Sequence, residues 1–324
     1  MKAIIHDEYG PIETLRPRDI DPPALGERDV LVRVRAAGLH VGDVFAVRGQ
    51  PFLVRLMTGL RRPRYGVPGF DLAGTVVALG SGVTRVSVGD DVFGVGDGTA
   101  AELARAGEDN LVPMPAGLTF EEAAALPTSG LAALHGLRDA GKVTAGQKVL
   151  INGASGGVGT FGVQIAKAFG AHVTGVASTA NLELLRSLGA DEAIDYTRED
   201  FTLRNAAWDL VVDNVENRPL AEVRRAITGT GTLVLNSGTG TSGLRMLVRL
   251  ASPVIRSRFA SQTLRRYLSN PNQADLLFLK ELVEAGKLRP VVGRTYPLDG
   301  TVDALRHIAS GHARGKVVLS LNPA

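Results

Sequence analysis

Apolar and charged positions alternate along Asp29–Leu39 (DVLVRVRAAGL), the period-two pattern of a strand with one buried face. The pattern continues through Phe70–Gly80 and Asp90–Gly96, with glycine-rich turns between. Short strands punctuated by Gly and Pro predict a β-rich, barrel-like first domain. Thr119, with Glu122 three residues on, then has the spacing of a capped helix start, and Thr128–Arg138 reads as helical. Beyond it strands and helices alternate. Strands are predicted at Lys148–Asn152, His172–Ala177, Asp209–Asp213 and Thr232–Asn236. Helices are predicted at Val158–Phe169 and Leu182–Leu188, closed by Gly170 and Gly189, and near Leu220–Ile227. This order predicts an α/β domain with a doubly wound parallel sheet. Gly238–Asn270 has no clear period. Helices over Gln273–Glu284 and Val302–Ser310 and a closing strand, Lys316–Leu321, finish the chain.

A length of 324 residues exceeds one ordinary core and implies two domains. Hydrophobic residues make up 44% and charged residues 21%, a soluble globular balance, and no apolar run approaches the ~18 residues of a membrane helix. The N-terminus lacks the pattern of a signal peptide. Cysteine is absent, which excludes disulfides, thiol nucleophiles and cysteine-ligated metals and fits a cytoplasmic enzyme. The net charge is +3, with arginines concentrated in Arg48–Arg64 and Arg245–Arg266. Aromatics are not interleaved with them, which favours a solvated basic surface over a nucleic-acid face.

The stretch Asn152–Phe161 (NGASGGVGTF) lies between a predicted strand and a predicted helix. Its residues Gly153, Ala154, Ser155, Gly156, Gly157, Val158 and Gly159 form a loop whose backbone amides, at a helix N-terminus, suit a pyrophosphate. Gly156 would let the backbone approach the ligand and Gly159 would let the helix pack on the sheet. Ala154 departs from the strict G-x-G-x-x-G pattern, and a tight turn without a ligand is the alternative. The second strand ends in Ala177, Ser178, Thr179 and Ala180, with no acid to bind a ribose 2′-hydroxyl. Hydroxyls at Ser178 and Thr179 favour a 2′-phosphate, hence NADPH. Tyr196 and Arg198 are further candidate donors.

The segments Val67–Gly94, Leu118–Leu137, Val149–Ser178, Leu185–Tyr196 and Gly311–Leu319 together resemble the medium-chain dehydrogenase/reductase superfamily, in its zinc-independent quinone oxidoreductase branch. The resemblance implies a GroES-like catalytic domain, residues 1–125 with 271–324, and a Rossmann domain, residues 126–270. It implies a site in the cleft between them and a homodimer formed through an edge strand near Ser257–Thr263. Zinc-dependent relatives use Cys and His ligands. Here Phe70 stands in "GFD" where they carry a His, and the position of a second Cys falls near Thr128.

Without a metal, the natural acceptor is a quinone or a C=C conjugated to a carbonyl. Hydride addition would give an enolate, which needs a hydrogen-bond donor at its oxygen. Candidates are His40, which can donate or be bonded to a turn; Asp43, which can act as a base or organise its loop; and Tyr65 on a long loop. Lys316 is a candidate at the cofactor, with a surface strand position as alternative. By resemblance Asn214, Val215, Asn236 and Ser237 lie at the nicotinamide. The apolar stretches Phe52–Leu60 and Leu244–Ile255 can wall a pocket for a hydrophobic small molecule or serve packing. The resulting expectation is an NADPH-dependent reductase of quinones or enones. A tailoring enoyl reductase for one natural-product or lipid intermediate, and an NADPH-binding regulatory or nucleic-acid-binding protein, are the alternatives.

Overall fold

The computed structural model describes residues 1–64, 66–236 and 261–321. The chain divides into two compact units, Met1–Leu131 with Asn270–Ala324, and Ala132–Ser269. No helix among the described residues is long and apolar enough to cross a membrane.

The first unit opens with β1 (Lys2–Ile5) antiparallel to β2 (Arg16–Asp19), followed by β3 (Asp29–Leu39). Helices α1 (Val41–Arg48) and α2 (Arg55–Thr58) precede β4 (Asp71–Leu79), β5 (Asp91–Val95), β6 (Leu103–Gly107) and β7 (Leu111–Pro113). Along β3 the alternation holds to Arg35, with Val30, Val32 and Val34 buried and Arg33 exposed. From Ala36 both faces are covered. The cover is α3 (Phe120–Ala124), which approaches so closely that a Cβ on Gly38 would lie 2.1 Å from the Ala124 carbonyl oxygen. The expected cap starts α3: Thr119 Oγ1 accepts from Glu122 N at 3.2 Å, and Glu122 Oε2 accepts from Thr119 N at 2.9 Å.

Helix α4 (Pro127–Leu134) carries the chain into the second unit. The expected α-helix to Arg138 gives way at His135–Ala140 to a wider turn, with Gly141 N bonded to Gly136 O at 2.8 Å. The Tyr267 hydroxyl explains it. It donates to the Ala132 carbonyl, which an α-helix would offer to Gly136 N, and it sits where a Gly136 side chain would be.

The second unit holds the predicted strands and helices with β10 and β13 in addition: β8 (Lys148–Asn152), α5 (Gly157–Ala168), β9 (His172–Ala177), α6 (Leu182–Ser187), β10 (Glu192–Asp195), β11 (Trp208–Asp213), α7 (Leu220–Ala226), β12 (Ile227–Leu235) and β13 (Thr263–Arg266). The sheet order is β10-β9-β8-β11-β12-β13, and every pairing is parallel. Strand β12 begins at Ile227 rather than Thr232. A shift of register against Trp208/Leu210, beside Gly229 and Gly231, hides its alternation. The expected dimer segment lies mostly outside the described residues; its last residue, Thr263, opens β13.

The chain returns to the first unit through α8 (Gln273–Glu284), β14 (Val292–Pro297), α9 (Thr301–Ala309) and β15 (Lys316–Ser320). Strand β15 pairs antiparallel with β3, in a sheet ordered β14-β15-β3-β4-β5-β7. This return places Lys316 beside the end of β3, opposite Asp71 at the start of β4.

Candidate functional site

The glycine loop leaves β8 and enters α5 as expected. Gly153 has φ +72°, and a Cβ there would meet Val215 Cγ2 at 2.6 Å. A Cβ on Gly159 would lie 2.1 Å from Gly153 O, so helix and loop touch through backbone alone. A Cβ on Gly156 would meet only Gly153 O, at 3.5 Å, which leaves its outer side open. Gly156 is the N-cap of α5, and Gly157 and Val158 begin its first turn, where N–H groups have no carbonyl within the helix. Ser155 is half-buried. Ala154 differs from its neighbours: it is fully buried and its N–H donates to Val176 O at 3.0 Å. It therefore packs the loop onto β9 rather than offering a contact to a ligand.

Polar side chains join the C-terminal ends of β8, β11 and β12. Asp213 Oδ1 accepts from Asn152 Nδ2 at 2.8 Å, Glu216 N at 2.8 Å and Val215 N at 3.1 Å. Asn214 Nδ2 donates to Asn152 O at 3.0 Å, and Asn236 Nδ2 to Asn214 Oδ1 at 2.8 Å. Asn214, Val215 and Asn236 are thus gathered at one end of the sheet. Ser237 lies outside the described residues.

The end of β9 holds a feature the linear sequence conceals. Asp195, at the end of β10, is in register with Ala177 and almost buried. It accepts from Thr179 Oγ1 through Oδ2, and through Oδ1 from Thr197 Oγ1 at 2.7 Å and Thr197 N at 3.0 Å. The Thr179 bond, followed by those from Thr197, holds its carboxyl below the ordinary aspartate value. This corrects the expectation for Thr179, whose single hydroxyl proton is spent on Asp195. Among the described residues Ser178 Oγ accepts from Asn181 Nδ2 at 3.2 Å and its own proton has no acceptor. Tyr196 is half exposed, and Arg198 is exposed with Nε 3.7 Å from Asp195 Oδ2.

A second cluster forms inside the first unit. His40 is the N-cap of α1: its Nδ1 accepts from Gly42 N at 2.9 Å, while its own N–H donates to Asp43 Oδ2 at 2.7 Å. A Cβ on Gly42 would lie 2.5 Å from the imidazole Cε1, so a side chain there would displace the ring. Since Nδ1 accepts, the neutral ring carries its hydrogen on Nε2. That atom is buried with no hydrogen-bond partner among the described residues. Phe70 stacks on the ring, centroids 5.8 Å apart at 18°.

Asp43 is fully buried, and its Oδ1 likewise has no partner among the described residues. Burial pushes its carboxyl above the ordinary range; His40 and Lys316 oppose the shift and Asp71 adds to it. Beside it, Lys316 Nζ donates to Asp71 Oδ2 at 3.2 Å, with Asp71 fully buried and Lys316 2% exposed. Asp71 Oδ1 also accepts from Thr128 N at 3.1 Å and from Thr128 Oγ1. Lys316, expected at the cofactor or on a strand surface, is instead an interior ion-pair partner, because β15 inserts next to β3. Tyr65 lies outside the described residues. No group of three or more His, Asp or Glu able to hold a metal ion occurs among the described residues.

Comparison with known proteins agrees with this architecture. Residues 26–136 match the alcohol dehydrogenase GroES-like domain family, and residues 188–319 match the zinc-binding dehydrogenase family. The chain is 33% identical to a 2-methylene-furan-3-one reductase of Solanum lycopersicum, over 98% of this chain and 79% of that protein. It is 31% identical to a chloroplastic NADPH-dependent alkenal/one oxidoreductase of Arabidopsis thaliana, over the same shares of 98% and 79%. Among solved structures, the quinone oxidoreductase from Coxiella burnetii superposes with a TM-score of 0.86 at 32% identity, covering 99% of both chains.

Proposed function

The chain belongs to the quinone oxidoreductase branch of the medium-chain dehydrogenase/reductase superfamily, and from that premise we propose that it is an NADPH-dependent oxidoreductase acting on a quinone or on the C=C of an α,β-unsaturated carbonyl. Unit two would hold the dinucleotide, and residues 1–125 with 271–324 the groups that act on the substrate. A bound nicotinamide supplies a hydride. The chain's own residues do the rest.

The glycine cradle fits a pyrophosphate: the outer side of Gly156 is open, and the N–H groups of the first turn of α5 face outward from the helix start. The turn after β9 supports a 2′-phosphate. Ala177–Ala180 contain no acid, the Asp195 carboxylate is already occupied by Thr179 and Thr197, and Ser178, Tyr196 and Arg198 offer donors. Asn214, Val215 and Asn236 would line the nicotinamide end.

The observation that carries the reading is His40. Its Nδ1 is committed to Gly42 N, so its Nε2–H is a preorganised donor without an acceptor among the described residues, suited to a substrate oxygen that gains charge during hydride transfer. Asp43 Oδ2 accepts the His40 backbone N–H at 2.7 Å and lies 3.7 Å from Nδ1 of the ring. The chain has no cysteine, and Phe70 and Thr128 stand where zinc enzymes place ligands, which supports a reaction without a Lewis-acid metal.

Steady-state assays with NADPH and NADH against a panel of quinones, enones and saturated ketones test the reading. Oxidation of NADPH by enones or quinones, and not by ketones, is expected. Tight NADPH binding with no acceptor turned over would favour a binding protein instead. Ser178→Asp should raise the KM for NADPH far more than that for NADH; equal effects would remove the 2′-phosphate assignment.

A further inference from the structure

Residues 44–70 contain five arginines (Arg48, Arg55, Arg61, Arg62, Arg64) and no acidic residue. The whole chain has a formal charge of +3, so this stretch of +5 leaves the remainder at −2. The same stretch exposes large apolar side chains. Phe52 is 62% exposed, Leu53 43%, Leu56 62% and Leu60 59%. Phe52, Leu53 and Leu56 stand at i, i+1 and i+4 on the helical turns that lead into α2, and so share one side. Single exposed apolar residues are ordinary; four on one short segment are not.

Side-chain contacts hold the part of this segment between Gly49 and Thr58. The Arg55 guanidinium lies over the rings of Tyr9 (4.6 Å) and Phe52 (5.7 Å), and its Nε donates to Gly49 O at 3.0 Å. The Tyr9 hydroxyl meets Thr58 Oγ1 at 2.8 Å. Arg48, Arg61, Arg62 and Arg64 are exposed. Two carboxylates feel this positive field, Asp7 near Arg62 and Glu13 near Arg48, and each already has another partner: Arg18 at 2.9 Å and Arg306 at 3.3 Å.

We propose that this segment docks the protein on an anionic lipid bilayer. The apolar side chains would enter the boundary of the acyl region while the arginines meet the headgroups, the division of labour of an interfacial segment. Charge selects this occupant. A second copy meeting the same patch across a two-fold axis would set +5 against +5. A nucleic acid would satisfy the arginines but leave Leu53, Leu56 and Leu60 without an apolar partner.

Co-sedimentation of the full chain with vesicles of phosphatidylcholine alone, or of phosphatidylcholine with phosphatidylserine, tests the proposal. Binding only to the anionic vesicles, weakened by salt, is expected. Arg61→Glu/Arg62→Glu should weaken it about tenfold or more, and Phe52→Ser/Leu56→Ser should weaken it at unchanged salt dependence. Thermal melts of Arg61→Glu/Arg62→Glu should match the parent, and those of Phe52→Ser/Leu56→Ser should stay close to it, since Arg55 keeps its contacts with Tyr9 and Gly49. No binding to either vesicle overturns the proposal, as does binding that both variants retain. It is also overturned if the parent ignores vesicles while the variants change its oligomeric state in light scattering, or raise the KM for apolar acceptors in free solution. Those outcomes assign the patch to a second copy or to the substrate.

Discussion

The Nδ1 atom of His40 accepts the backbone N–H of Gly42 at 2.9 Å, and this one bond fixes which ring nitrogen keeps the hydrogen. In the proposed reaction it would also join stability to chemistry, because the imidazole that caps α1 would offer Nε2–H to the substrate. The two roles separate by substitution. His40→Asn retains a capping side chain and should melt close to the parent, whereas His40→Ala should cost about 1 kcal/mol for the lost cap. Both should lower kcat for an enone by roughly 10²-fold, the cost of one oxyanion donor, with NADPH affinity unchanged. Retention of kcat in His40→Ala would remove His40 from the reaction.

The buried Asp43 sets a pH dependence of stability. Well below the ordinary carboxylate pKa the group is protonated in the folded and unfolded chains alike and adds no slope. As pH rises, the unfolded chain ionises first, while burial holds the folded carboxyl protonated to a higher pH. In that window the folded state binds the extra proton, so stability falls with pH and levels off above the raised pKa. Asp43→Asn keeps an acceptor for the His40 N–H and loses this slope. Melting curves across acid to neutral pH should show the variant gaining on the parent as pH rises.

Lys316 and Asp71 are buried together at 3.2 Å. Lys316→Met leaves the Asp71 carboxylate in the interior with Thr128 as its one remaining donor among the described residues, and should destabilise the chain by about 3–5 kcal/mol in denaturant unfolding. Lys316→Met combined with Asp71→Leu should cost less than Lys316→Met alone, because no uncompensated charge remains. A double variant as unstable as the sum of the two singles would mean that the pair is not energetically coupled.

Two glycines of the loop should fail differently. Gly159→Ala forces a methyl to 2.1 Å from Gly153 O, so loss of stability of about 2 kcal/mol or more is expected along with loss of NADPH binding. Gly156→Ala meets nothing closer than 3.5 Å and should fold normally, yet weaken NADPH binding by filling the side from which a phosphate approaches. Thermal melts and cofactor fluorescence titrations distinguish the two.

The parallel-sheet unit was legible in the sequence because its strands, helices and closing glycines are local patterns, each written within a dozen residues. So were the Thr119–Glu122 cap, the start of α5 and the half-buried β3. The two departures came from outside the segments concerned. Tyr267 widens the helix after Leu134 from 135 residues away, and β12 begins early because it pairs through a bulge with β11. The short strands carry no such pattern: β1 and β2 are four residues each, β2 is exposed throughout, β7 has three residues, and β14 lies at a sheet edge with little burial contrast.

The same division runs through the candidate site. The sequence by itself determined the glycine loop between β8 and α5, the missing acid after β9 and the missing cysteines, since each depends on residue type at short spacing. Only the tertiary structure decided that Asp195 consumes the Thr179 hydroxyl, that Lys316 turns inward to Asp71 245 residues away, and that Ala154 packs on β9. Those partners come from neighbouring strands. A side chain's free donors depend on which neighbour folding brings within 3 Å, and spacing along the chain does not encode that.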